Sequence, residues 1–265
     1  YGGSAGGGKS DALLMAALSR VNQPEYHALI LRRTYPDLAL PGAIMQRCHE
    51  WLAGTAARWN DRDKVYVFPS GARLVFGYMD GPRDHYRYQG SDYHFVAYDE
   101  LTQFSEGQYT WLFTRMRRSA KSEMPILMRA ATNPGGIGHD WVGERWGIPA
   151  NPDNEFVYSH DGRIFLPARV TDNPALDIDD YRARLARLDP ITRAQLDEGQ
   201  WVRDTTGLVY YAFREAKNLG DTLPDLPGEE TYSLVLGMDF GVTDPTAFVE
   251  LAFSEHDPSV YVTRS

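Results

Sequence analysis

The sequence predicts an α/β fold in which a mostly parallel sheet is flanked by helices. Short apolar runs alternate with segments of helical periodicity, the pattern that builds parallel sheets through crossover helices. A glycine-rich stretch, Gly3 to Gly8, passes directly into an apolar helical pattern. An apolar run, His94 to Tyr98, ends on Asp99 and Glu100, as a buried strand does when it delivers acids to one edge of a sheet.

Each element follows in order. Residues 11–20 place Leu13, Leu14, Ala17 and Leu18 on one helical face. Ala28 to Leu31 is continuously apolar, as a strand covered on both faces must be. Val65–Phe68 and Leu74–Phe76 flank Pro69-Ser-Gly-Ala72, a hairpin signal. His94–Tyr98 is the next strand, Gln108–Arg118 a helix, and Pro125–Ala131 a further strand closed by Asn133-Pro-Gly-Gly136. The character changes near residue 172. Asp177–Leu188 carries Tyr181, Leu185 and Leu188 at helical spacing, with acids early and arginines late to match the helix dipole. Pro190 begins a second short helix toward Leu196, and Asn218–Glu230, rich in proline, glycine and acids, is predicted to be a linker. Strands are expected again at Ser233–Asp239, Ala247–Ala252 and Val260–Thr263. The glycine-rich stretch opens the chain with no strand ahead of it, and a strand before Tyr1 is expected.

Composition sets the bounds. The 265 residues, 43% hydrophobic and 24% charged, suit a globular protein with a large core and a smaller appendage. No apolar stretch reaches the ~18 residues that a membrane helix needs. The single cysteine, Cys48, excludes an internal disulfide, and the seven histidines show no zinc-ligand spacing. The net charge of −9 first argues against nucleic acid, but all of it falls between Glu215 and Asp257. The remainder is neutral and can hold local basic patches, which phosphates feel within about 8–10 Å.

Three motifs carry chemistry. Gly3-Ser4-Ala5-Gly6-Gly7-Gly8-Lys9-Ser10 fits the phosphate-loop pattern G-x-x-x-x-G-K-[ST] at every fixed position. Glycines let backbone N–H groups wrap around phosphate oxygens, Lys9 is placed to bridge the β- and γ-phosphates of ATP, and Ser10 to bind Mg²⁺. In the second motif Asp99 suits a Mg²⁺ ligand and Glu100 a group that polarises the attacking water. In the third, Thr132-Asn133 ends the following strand, where a polar residue can sense the γ-phosphate, although Asn-Pro also favours a plain turn. Together they predict a P-loop NTPase.

These motifs, with Leu31-Arg-Arg-Thr34, resemble those of the large terminase subunits of tailed bacteriophages. The resemblance continues through Gly135-Gly-Ile-Gly-His-Asp-Trp141, Tyr181…Leu185…Leu188, Gly199-Gln-Trp201, Gly207-Leu-Val-Tyr210 and Leu236-Gly-Met-Asp239-Phe-Gly241 with Asp244-Pro245. It implies an ATPase domain over 1–172, a small helical linker subdomain over 173–230, and the first strands of an RNase H-like nuclease domain over 231–265. It implies ATP-binding roles for residues 3–10, catalytic roles for Lys9 and Glu100, and coupling roles for Thr132 and Asn133. Ser10 and Asp99 would hold the ATPase Mg²⁺. Asp239 would be the first carboxylate of a second divalent-metal site, Mg²⁺ or Mn²⁺, at which two-metal chemistry cuts DNA; the partner acids are expected beyond Ser265. An arginine finger is implied, with Arg87 and Arg83, or the Arg115, Arg117, Arg118 and Lys121 cluster, as candidates. That cluster could instead touch DNA phosphates or be a solvated helix end.

The resemblance also implies double-stranded DNA, a portal protein and a small terminase subunit as partners, a homo-oligomeric ring on the portal, and the cytoplasm of an infected bacterium as the setting. The function expected is a motor that drives viral DNA into a procapsid. The alternatives are a helicase-like or repair ATPase, and a nucleotide-binding kinase or switch. A guanine-reading N-K-x-D stretch is absent, and an intact Lys9, Asp99 and Glu100 argue against an inactive DNA-binding scaffold.

Overall fold

The computed structural model describes residues 1–152, 156–158, 161–203, 220, 223, 231–239, 247–254 and 259–264. Contacts divide the chain into two units, Tyr1–Asp204 and Thr205–Ser265. The helices that follow residue 172 fall within the first unit. Most of the expected linker at 218–230 lies outside the described residues, as do Gly207–Tyr210, Phe240–Gly241 and Asp244–Pro245.

In chain order the first unit contains β1 (Gly2–Gly3), α1 (Lys9–Leu18), β2 (His27–Arg32), α2 (Tyr35–Ala39), α3 (Ile44–Leu52), β3 (Arg58–Asn60), β4 (Val65–Val67), β5 (Arg73–Tyr78) and β6 (Phe95–Asp99). It continues with α4 (Glu106–Trp111), β7 (Leu127–Ala131), α5 (His139–Trp146), β8 (Val157–Tyr158), β9 (Ile164–Phe165), β10 (Pro167–Ala168), α6 (Ile178–Leu185) and α7 (Pro190–Leu196). The central sheet has the order β3-β4-β5-β2-β6-β7. β5, β2, β6 and β7 run parallel, and β3-β4-β5 form an antiparallel edge.

β2 and β6, at the middle of the sheet, are buried on both faces, which is why they read as apolar runs. Ala28 and Ile30 of β2 face a core built with Leu13, Leu14 and Ala17 of α1 and Cys48 of α3. Leu29 and Leu31 face the opposite core, with Tyr98, Phe104, Tyr109 and Val142. Burial pushes the Cys48 thiol up to about 12. No helix among the described residues is long and apolar enough to cross a membrane.

Two sequence expectations are corrected. The helix expected over Gln108–Arg118 starts earlier and stops sooner. Ser105 and Gln108 close a capping box that fixes its start, and a 3₁₀ turn over Leu112–Arg115 ends it. Met116 then turns extended and bridges Tyr93 in parallel, drawing Arg117 and Arg118 out of the helix. The phosphate loop is also not without a strand. Gly2 and Gly3 pair in parallel with Pro167 and Ala168, and Gly2 bridges Thr132 at the end of β7. β1 therefore lies between the end of β7 and β10, and β7 separates it from the acid-bearing β6.

In the second unit, β11 (Ser233–Asp239), β12 (Ala247–Phe253) and β13 (Val260–Arg264) form an antiparallel sheet in the order β11-β12-β13. All three strands were legible as apolar runs. Asp239 ends β11 opposite Ala247.

Candidate active site

The site forms at the carboxyl ends of β6 and β7, around the loop that joins β1 to α1. Gly8 adopts φ 75° at the N-terminus of α1 and no side chain caps that end, so the first-turn N–H groups are left for an anion. A left-handed φ at Gly8 excludes most side chains even though open space surrounds it.

Lys9 opens α1 and is 7% exposed. Its ammonium donates to the Ser4 carbonyl and, at 2.8 Å, to Asn133 Oδ1. Burial lowers its pKa to about 8, against the pull of Glu100 and Asp99. The Ser10 hydroxyl donates to Asp99 Oδ1 at 2.8 Å. Asp99 is 2% exposed, and burial raises its pKa while Arg32 and Ser10 oppose the rise.

Glu100 leaves the strand with φ 62° and ψ 60°, a left-handed conformation that costs a non-glycine residue about 1–2 kcal/mol. Asn133 holds it there. The Asn133 side-chain amide donates to both carboxylate oxygens at 3.0 and 3.1 Å, and its backbone N–H donates to Oε2 at 3.3 Å. Burial first, and Asp99 second, raise the Glu100 pKa, which makes its carboxylate a better proton acceptor. Thr132 fixes the turn from below. Its Oγ1 lies 2.9 Å from the Thr102 hydroxyl and accepts the Thr102 amide at 3.0 Å, and the Thr102 hydroxyl donates to the Asn133 carbonyl at 3.0 Å.

Lys9, Ser10, Asp99, Glu100, Thr132 and Asn133 are thus brought together. Sequence reasoning assigned no role to Arg32, whose Nη1 lies 3.3 Å from Asp99 and 3.8 Å from Glu100. Strand register puts it there, because Leu31 of β2 pairs Tyr98 of β6 and each next residue ends its strand. The available signal was a cation closing an apolar strand.

Arg87 is not placed against these groups. It sits in a 3₁₀ turn over Asp84–Tyr88, stacks on Tyr78 at 4.3 Å, donates to the Tyr78 carbonyl and pairs with Asp84 at 3.3 Å. Arg83 immediately precedes that turn. Arg115 lies over Trp111, Arg117 pairs with Asp92, and Arg118 donates to the Met124 carbonyl. The side chain of Asp239 lies outside the described residues.

The residues fit a hard cation held jointly with phosphate. A hydroxyl and a buried carboxylate stand side by side, and Mg²⁺ is commonly held by one or two protein oxygens plus substrate phosphates. Among the described residues no group of three His, Cys, Asp or Glu side chains could hold a metal unaided.

A family model described as "Terminase large subunit, T4likevirus-type, N-terminal" matches residues 1–217. The large terminase of a thermophilic bacteriophage superposes with TM-score 0.58 at 14% identity, over 96% of this chain and 59% of that one. The same terminase in complex with ATP-gamma-S gives 0.56 at 15%, over 96% and 58%. The HK97 bacteriophage large terminase gives 0.54 at 12%, over 97% and 56%. At these identities the likeness is one of fold, and the chain spans less than three-fifths of the length of these proteins. No curated protein matches at the sequence level.

Proposed function

The chain belongs to the terminase large-subunit family, and on that premise we propose that it is the ATP-hydrolysing motor of viral DNA packaging. One observation carries the reading. A buried lysine, a hydroxyl–carboxylate pair and a half-buried glutamate converge on a glycine-rich loop at the start of a helix.

The proposed roles follow from the chemistry of each group. Residues 3–10 form the cradle for the ATP phosphates: the N–H groups of Gly3, Ser4 and Ala5 anchor the loop on Thr132, Ala168 and Leu196, and those from Gly6 onward, with the Lys9 ammonium, bind the phosphates. Ser10 and Asp99 hold Mg²⁺, which would neutralise phosphate charge. Glu100 accepts a proton as the water oxygen bonds to the γ-phosphorus and the bond to the β-phosphate oxygen breaks. Asn133, just past the end of β7, bonds both Lys9 and Glu100, Thr132 braces it through Thr102, and the two would carry phosphate state to the part that grips DNA. Developing charge calls for a further cation. An arginine of a neighbouring subunit would supply it, with Arg87 or Arg83 as this chain's contribution to its neighbour.

The family implies the wider setting. The substrate would be double-stranded DNA moved into a procapsid by a ring on the portal, served by a small terminase subunit in the infected bacterial cytoplasm. Residues 1–172 would be the ATPase domain and 173–230 its linker subdomain. The second unit would begin an RNase H-like nuclease, with Asp239 in a second divalent-metal site.

Lys9→Ala is the direct test. It should abolish ATP turnover while leaving the circular dichroism unchanged, and retained turnover would mean the loop is misassigned. Added double-stranded DNA should raise turnover in the unaltered protein without strand separation. Unwinding would move the reading to a helicase.

A further inference from the structure

The outer side of the phosphate loop is walled by residues that sequence reasoning left outside the site. The Asn173 side-chain amide donates to the Gly6 carbonyl at 2.7 Å, across 167 residues of chain. Its Oδ1 accepts the Ala175 N–H at 3.1 Å. These two bonds fix the amide's orientation, since turning it over would face oxygen to oxygen at Gly6 and hydrogen to hydrogen at Ala175. The same wall meets the loop elsewhere. Ala5 N–H donates to the Leu196 carbonyl at 2.8 Å, and a Cβ on Gly6 would lie 2.9 Å from Leu176 and 3.4 Å from Tyr181.

The consequence follows from peptide geometry. A trans peptide points its C=O and its N–H in opposite directions. Holding the Gly6 carbonyl outward, toward Asn173, turns the Gly7 N–H inward. Gly7 N–H donates to no backbone acceptor among the described residues. We propose that Asn173 is a positioning residue for nucleotide binding, holding the Gly6–Gly7 peptide so that the Gly7 N–H faces the phosphates. The inference rests on the reading of the loop as a phosphate site. It extends that site to the segment after β10. A free loop rich in glycine would sample many peptide orientations, and each must be fixed before the anion is gripped.

Two substitutions isolate the bond. Asn173→Asp keeps the shape and an oxygen for Ala175 but removes the donor to Gly6. Asn173→Ser keeps a capping oxygen but is too short to reach Gly6. Titration with a fluorescent ADP analogue should show affinity lowered about five- to tenfold in both, the loss of one hydrogen bond at an anion site. Turnover at saturating ATP should fall less than threefold, so that KM moves and kcat does not. Affinity within twofold of the unaltered protein in either folded variant overturns the inference, as does a fall in kcat at constant affinity. If Lys9→Ala still turns over ATP, the phosphate-site reading itself fails. If Lys9→Ala is inactive and Asn173→Asp binds normally, only the role of Asn173 fails.

Discussion

The Lys9 ammonium donates to Asn133 Oδ1 at 2.8 Å, joining the phosphate loop to the end of β7. The same amide gives its protons to both oxygens of Glu100. Asn133→Asp keeps the shape but replaces those donors with a third carboxylate beside Asp99 and Glu100. Like charge at that range raises carboxylate pKa values further, and Glu100 loses its orientation. A drop in kcat of at least tenfold is expected, with nucleotide affinity changed far less. Steady-state kinetics checks it, and an unchanged kcat would remove Asn133 from the catalytic geometry.

Lys9 predicts a pH dependence of stability. Its pKa is lowered by burial from its ordinary 10.5 to about 8 in the folded protein. Between those values the unfolded chain binds more protons, so stability rises with pH across that window. The penalty is fully present below pH 8 and fades toward 10.5. Lys9→Met carries no such penalty, so the difference in unfolding free energy between variant and parent should shrink from pH 8 to 10.5. Denaturant titrations of both proteins at matched pH measure it, and a constant difference would contradict the burial of a charged lysine.

Arg32 faces two acids, the buried Asp99 and the half-buried Glu100. Its removal leaves Asp99 and Glu100 without their nearest guanidinium, so Arg32→Met should destabilise the first unit by about 3 kcal/mol. Introduced into Asp99→Asn, the same change should cost at least ~1 kcal/mol less, because contacting charges couple. Additive effects in that cycle would show that the 3.3 Å approach to Asp99 contributes nothing to stability.

Gly199 is a backbone contact of the phosphate loop. It has φ 70°, and a Cβ there would sit 2.8 Å from Ser4 N and 3.0 Å from Gly3 Cα. Backbone cannot yield as a flexible side chain does, so Gly199→Ala should shift the loop. ADP-analogue affinity should fall by about tenfold, equivalent to ~1.4 kcal/mol, with a lower thermal midpoint. Normal binding would mean the loop tolerates displacement at Ser4.

Much of this was legible in the chain because parallel strands covered on both faces must be apolar throughout. That rule found β2 and β6, while β7, with Arg129 exposed at its centre, was found from the apolar residues on either side of it. The rule missed β3, whose Arg58-Trp-Asn60 is a short polar edge, and it missed α3, whose buried face is carried by Ile44, Met45 and Cys48 alone. The site residues that lie within contiguous motifs were readable, because loop and strand end each bring their own group. Arg32 and Asn173 were not. Their positions depend on strand register in one case and on a fold-back of 167 residues in the other; a cation closing an apolar strand marks Arg32 without naming its partners, and Asn173 leaves no local pattern.

Cys48 gives the molecule an experimental convenience. It is the only cysteine in 265 residues, it is fully buried, and its thiol is held near 12. Thiolate is the form that maleimides and spin-label reagents attack, so the native side chain is silent toward them at neutral pH. A cysteine engineered at an exposed position such as Arg118 would be the sole reactive handle. A fluorophore or spin probe could then be attached at that one point and its local motion followed, with no need to replace the native cysteine first.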